Sequence, residues 1–215
     1  MKKVFVSLLV LMFAASAFAA TSPIDKGSMI LEGDIYFQTK GGDLYKDVDE
    51  NGVVTENETE SQTVMVFSPT IGYFVAPSIM VGVMVNFETS KIADANYEYK
   101  ETKMGFGPMV GYYFNMDKER TDVKGAMYPY IKAFFLYSSC KQDYNGTEFT
   151  DKIMSFGGMG GVVFMLSNAV AVDFGVMFRS DKQSLDDAWF EDEDIPEDLS
   201  GTVIQVGAGI SAFIY

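Results

Sequence analysis

From residue 28 onward, apolar and polar side chains alternate with a period of two. In SMILEGDIYFQTK, Met29, Leu31, Gly33, Ile35 and Phe37 share one face, and Glu32, Asp34 and Gln38 share the other. IMVGVMVNFE sets Ile79, Val81, Val83, Val85 and Phe87 against Gly82, Met84, Asn86 and Glu88. VAVDFGVMFR sets Val170, Val172, Phe174, Val176 and Phe178 against Asp173, Gly175 and Arg179. Alternation sustained over this length predicts strand rather than helix. Eight such segments are predicted, at 28–40, 63–75, 79–89, 103–114, 127–138, 153–165, 170–180 and 202–215. One set of connectors is built on turn residues, at 76–78, 115–126 and 167–168. The other set is long and polar, at 41–62, 90–102, 139–152 and 181–201.

Turns at one end and polar loops at the other predict an all-β, eight-stranded antiparallel up-and-down transmembrane β-barrel. One face is Val, Ile, Leu, Met and Phe, and the other is Gly, Ser, Thr, Asn and charge. A soluble secreted ligand-binding barrel reverses this, with an apolar lumen and a polar exterior. In hydrocarbon every backbone N–H and C=O needs a partner, and joining the first strand to the last supplies them. Lys or Arg at mid-membrane costs about 2–4 kcal/mol, and no charge falls on the apolar face of the segments phased above.

SPTIGYFV (68–75) and GPMVGYYF (107–114) share P-x-x-G-Y-aromatic at the turn end of an even strand, YPYIKAFF opens the fifth strand, and Tyr215 ends the chain. With these the sequence resembles the small outer-membrane β-barrel family, which includes OmpX-like proteins and the transmembrane half of OmpA-like proteins. The resemblance implies a monomeric barrel inserted by the outer-membrane assembly machinery. Two features depart from its pattern. Pro69, Pro108 and Pro129 fall inside strands, where each removes a ladder donor, so bulges or a place near the rim are expected. In the last strand Tyr215 and Phe213 take one phase while Ile214, Ile210, Val206 and Ile204 take the other. A bulge near Ala212 would reconcile the two, and the phase stays open. Tyr73, Tyr112, Phe114, Tyr128, Phe164, Phe213 and Tyr215 cluster at the turn end, where an interfacial girdle is expected.

The chain begins MKKVFVSLLVLMFAASAFAATS. Lys2 and Lys3, an apolar stretch from Val4 to Phe13, and Ala17-Phe18-Ala19 have the layout of a secretory signal peptide. Residues 1–19 are expected to be removed, leaving residues 20–215 as one barrel domain in the cell outer membrane. The N-terminus would then be periplasmic and the long loops extracellular. The net charge is −14, which excludes nucleic acid, whose phosphates need basic partners. A single cysteine, Cys140, leaves no intrachain disulfide. Histidine is absent, so the side chain best suited to acid–base work near neutral pH is missing, and no enzyme activity is expected.

Eight strands enclose a space just wide enough for side chains. Glu32, Asp34, Lys132 and Asp173 are expected to meet in the lumen, with Lys132 paired to Asp173 or Glu32, and Arg179 is expected to lie higher. Loop 41–62 carries seven acidic residues and loop 181–201 nine, Asp181 among them. The first contains DVDENGVVTENE, which matches the EF-hand calcium pattern. In that reading Asp47, Asp49 and Asn51 give side-chain oxygens, Val53 its carbonyl, Thr55 a water and Glu58 a bidentate carboxylate. The rival reading makes Asn51-Gly52 a hairpin turn. No other cofactor is implied. The expected partners are outer-membrane lipid and lipopolysaccharide, with a structural or cell-surface role and a narrow ion or solute channel as the alternative.

Overall fold

The structure is a computed structural model and describes residues 22–41, 46–48, 54–58, 64–94, 97–116, 123–144, 147–184 and 198–215. Residues 1–19, where a signal peptide is expected, and Trp189-Phe190 lie outside these. In chain order the strands are β1 (Met29–Gly41), β2 (Lys46–Val48), β3 (Val54–Glu58), β4 (Val64–Ala76), β5 (Ile79–Asp94), β6 (Tyr97–Tyr113), β7 (Met127–Tyr144), β8 (Thr147–Met165), β9 (Val170–Ser184) and β10 (Asp198–Ile214). β2 and β3 form a small hairpin of their own, and the other eight close into one antiparallel barrel in the order β1-β10-β9-β8-β7-β6-β5-β4. No described helix is long and apolar enough to cross a membrane.

Followed rung by rung, Thr39 pairs with Ile204, then Phe178, Gly158, Ala133, Val110, Val81, Tyr73 and finally Met29. The circuit closes on β1 at Met29 instead of Thr39, a stagger of ten residues. A ring of eight strands sheared this way must tilt them, typically by about 35–45° from the axis.

Exposure along each strand alternates as the sequence predicts. On β1, Leu31, Ile35 and Phe37 are exposed at 41%, 45% and 61%, while Glu32, Asp34 and Gln38 are buried inside. β5 and β9 keep the same phase, with Val83, Phe87, Phe174 and Phe178 outward and Asn86, Glu88, Asp173 and Arg179 inward. The strands are longer than the alternation implied. The predicted loops 90–102 and 139–152 are mostly ladder, since β5 pairs with β6 out to Asp94↔Tyr97 and β7 with β8 out to Tyr144↔Thr147. Beyond the membrane both strand faces meet polar surroundings, so the hydrophobic period fades while backbone pairing continues.

The prolines need no bulge. Around Pro69 the β4–β5 ladder runs from Phe67↔Phe87 to Thr70↔Met84 without a change of register. Around Pro108 the β6–β7 ladder runs from Phe106↔Tyr137 to Met109↔Phe134, again in register. Each proline costs local pairing on one side only, and Pro129 sits near the start of β7 opposite Val162.

The last strand has no bulge at Ala212. β10 pairs with β1 from Met29↔Ile214 to Gly41↔Thr202 without a shift. Ile204, Val206, Ile210 and Ile214 face outward, and Gln205, Ser211 and Phe213 face inward. Closure forces this phase, because β10 must match an edge whose outward set is already Leu31, Ile35 and Phe37. The girdle is accordingly smaller than expected. Tyr112, Phe114 and Phe164 are exposed, but Tyr128 and Phe213 are buried inside.

The lumen is also less uniformly polar than its sequence face suggested. At the turn end Ile30, Phe74, Met80, Met165 and Phe213 form an apolar floor. The segment before β1 folds under it. Ser78 N–H donates to the Ile24 carbonyl at 2.8 Å, Gly27 N–H donates to the Phe74 carbonyl at 2.9 Å, and Ile24 is buried in the floor.

Candidate functional site in the lumen

Inward positions on tilted strands meet across the axis, so residues far apart in sequence become neighbours. Two clusters of charge result, one just above the apolar floor and one nearer the loop end.

In the lower cluster, Lys132 of β7 reaches Glu32 of β1, with Nζ 2.7 Å from both carboxylate oxygens. Tyr113 OH donates to Glu32 Oε1 at 2.9 Å. The ammonium also lies 4.4 Å from the ring centre of Tyr130 and 5.5 Å from that of Tyr113. A buried lysine is tolerable only when its charge is matched, and here a carboxylate and two ring faces do so. Asp34, Gly209 and Asp173 form one row across β1, β10 and β9. A Cβ on Gly209 would strike carboxylate oxygens of both aspartates, so the absent side chain is what lets them converge. Tyr36 OH donates to Asp34 Oδ2 at 3.1 Å, and Ser211 OH to Asp173 Oδ2 at 3.0 Å.

The upper cluster is larger. Arg179 of β9 is fully buried, with Nε 2.7 Å from Asp181 Oδ1 and a terminal nitrogen 3.5 Å from Glu88 Oε2. Lys103 of β6 pairs with Asp181 at 2.8 Å, and Lys40 of β1 pairs with Glu88 at 2.5 Å and Glu101 at 3.5 Å. Gln205 donates to Gln38, and Gln38 to Glu88, each at 2.6 Å. Three cations thus face three carboxylates on β1, β5, β6 and β9. A recess of about 40 Å³ above this layer is lined by Lys40, Glu101, Lys103, Cys140, Gln142, Ile153 and Gln183. That is room for a few waters, not for a solute.

Of the residues singled out from sequence, the structure brings Glu32 and Lys132 into contact, sets Asp34 beside Asp173, and places Arg179 in the separate upper layer. It corrects one assignment. Asp181 is not a loop acid but a buried lumen residue on β9, because Arg179 and Asp181 are two apart on one strand and share the inward face. That spacing was the available signal for it. Lys40, Glu88 and Lys103 were missed as partners, since no spacing in one chain says which strand faces which across a ring.

Of the calcium pattern, Asp49, Asn51 and Val53 lie outside the described residues. Asp47 lies on β2, and Thr55 and Glu58 lie on β3. The pairing Val48↔Val54 makes the surround an antiparallel hairpin rather than a helix pair. The alternative of a hairpin turn at Asn51-Gly52 likewise lies outside the described residues.

Glycine shapes the lower cluster as much as charge does. The hydroxyl end of Tyr130 reaches over Gly161 and Gly175, and a Cβ on Gly175 would meet its hydroxyl at 2.5 Å. Gly175→Val is expected to push the ring aside and cost about 1–3 kcal/mol by overpacking. Gly160→Val, on the outward face with its nearest neighbour at 3.7 Å, should change stability by less than about 0.5 kcal/mol. Urea unfolding of the refolded barrel checks both, and equal effects would refute the slot.

Comparison with known proteins agrees with this architecture. The family profile described as "Outer membrane protein beta-barrel domain" matches residues 5–211. Neisserial surface protein A has a similar structure, with TM-score 0.57 at 14% identity over 87% of this chain and 99% of that one. OprG from Pseudomonas aeruginosa aligns with TM-score 0.49 at 13% identity, over 89% and 98% of the two chains. Ail, the attachment invasion locus protein of Yersinia pestis, aligns with TM-score 0.45 at 11% identity, over 86% and 99%. No curated protein sequence matches significantly.

Proposed function

Since the chain belongs to the outer membrane protein β-barrel domain family, we propose that it is a sealed membrane scaffold that acts through the loops it displays, not through its lumen. Its N-terminus lies in the periplasm and its long loops face the cell exterior, where their acidic residues meet surface molecules. It works as a monomer placed by the outer-membrane assembly machinery, and it is not an enzyme.

The observation that carries this reading is the filling of the interior. From floor to mouth the axis is crossed by Ile24 and Phe74, then by the Lys132–Glu32 pair, then by Arg179 with Glu88 and Asp181. An ion would have to displace paired charges at two levels, and each disrupted buried pair costs several kcal/mol. The channel reading needs those layers to open.

Planar-bilayer recording separates the two. The wild-type barrel is expected to give no stable unitary conductance. A reproducible conductance altered by Lys132→Ala would overturn the sealed scaffold in favour of a narrow path.

A further inference from the structure

The inner wall carries a polar row that no single strand displays. Across the ladder, Asp173 of β9 pairs with Gly209, Gly209 with Asp34, and Asp34 with Ser68. The Ser68 hydroxyl donates to Asn86 Oδ1 at 2.8 Å. Asn86 in turn pairs with Gly105, and Gly105 with Ser138. A row that crosses tilted strands at right angles climbs along the barrel axis. Asp173 lies near the turn-end start of β9, whereas Ser138 lies past the middle of β7. Ser138 pairs with Ile153, which lines the recess at the mouth together with Cys140. The row therefore joins the lower charged cluster to the loop end.

Three polar atoms on this row have no hydrogen-bond partner among the described residues: Asp34 Oδ1, Asn86 Nδ2 and Ser138 Oγ. Their residues are 3%, 1% and 0% exposed. A group buried that deeply takes its partner from the protein or from bound water. Glycine separates the groups in both places, Gly209 between Asp173 and Asp34, and Gly105 between Asn86 and Ser138. A Cβ on Gly209 would strike Asp34 Oδ1, and one on Gly105 would strike the Ser138 hydroxyl. β5 and β7 stand two ladder spacings apart, about 10 Å. The short side chains of Asn86 and Ser138 do not close that span. Water bound between them would accept from the amide and bond the hydroxyl, and two polar partners are enough to hold it. Below Asp34 the way is shut. Lys132 takes both oxygens of Glu32 and Tyr113 takes one of them, and beneath these lies the apolar floor.

We propose that this row is a water-binding track. Single ordered waters sit between Asn86 and Ser138 and against Asp34 Oδ1, with the Ser68 hydroxyl and the Asn86 amide between them. The track opens to the mouth recess and ends at the Asp34–Asp173 pair. It keeps that buried acid pair in exchange with water at the loop end and with no other surface. Ions do not follow, because the paired charges and the apolar floor stay in place. The inference goes beyond the sealed-scaffold reading and does not depend on which side the loops face.

Solution NMR of the folded barrel in micelles tests it. In the wild type the Asn86 side-chain amide is expected to show a cross-relaxation peak with a long-lived water. Ser138→Val, which puts a methyl where the hydroxyl stood, should abolish the peak, and Ser138→Thr should keep it. The Tyr36 hydroxyl, which donates to Asp34, should exchange with solvent about tenfold more slowly in the Val variant. The Tyr113 hydroxyl, which donates to Glu32, should exchange at the same rate in both proteins. Absence of a water peak at Asn86 in the wild type overturns the proposal, as does its persistence in the Val variant. Equal Tyr36 exchange in the two proteins overturns the link to the acid pair. Equal slowing of Tyr36 and Tyr113 also overturns it, since a general tightening of the lumen would then be the cause. Heat-modifiable gel migration verifies folding of each variant. Because these readouts are blind to conductance, a failure here leaves the sealed-scaffold reading to its own test.

Discussion

Replacing Lys132 with methionine is expected to destabilise the barrel by about 3–5 kcal/mol, because it strands a buried carboxylate. Glu32 is 5% exposed and receives both Lys132 and the Tyr113 hydroxyl. Without the ammonium it keeps one neutral donor, with Asp34 and Asp173 close by. The midpoint of urea unfolding in lipid vesicles, with the slope monitored to confirm a common transition, measures the loss. The control is the double change Lys132→Met with Glu32→Gln. If the cost comes from an uncompensated charge, the double variant should recover most of it, as the asymmetry between breaking and deleting a buried pair predicts. A single-variant loss below about 1 kcal/mol would mean that water enters the lower lumen and solvates Glu32.

Arg179→Met should cost a similar amount, about 3–5 kcal/mol, for a different structural reason. Arg179 lies between Glu88 and Asp181, and these carboxylates are otherwise held by Lys40 and Lys103 on other strands. Its loss turns a matched set of three cations and three acids into a set one cation short. Arg179→Lys is expected to recover only part of the stability, because a single ammonium cannot present the planar fork that reaches two carboxylates at once. Hydrogen exchange should report the damage locally, with protection falling on the loop-end halves of β5 and β9 and surviving in the floor around Ile30 and Phe74. Uniform loss over the whole barrel would show instead that the two charged layers unfold as one unit.

The two layers differ in how far sequence led to them. Glu32, Asp34, Lys132, Asp173 and Arg179 each interrupt an otherwise apolar or small-residue segment in the inward phase, so their place inside follows from alternation alone. Lys40 and Lys103 fall at strand ends where alternation is fading, and Asp181 sits beside a run of acids that looks like loop. Above the hydrocarbon both faces of a strand are wetted, and hydropathy no longer marks strand from turn there. The final strand shows the same limit in another form. Its two aromatic residues argued for one phase and its four aliphatic residues for the other, and pairing with β1 resolved the matter for the aliphatics.

Periodicity along the chain was enough for the number of barrel strands, the direction each clearly phased side chain faces, and the alternation of turn and loop. Those properties depend only on a two-residue repeat and on which solvent each face meets. Partner choice inside the lumen, the apolar floor above Ile24 and the glycine slot beneath Tyr130 depend on the ten-residue stagger. That stagger belongs to the closed ring as a whole. No strand carries it, because shear is fixed only when the last strand has to meet the first.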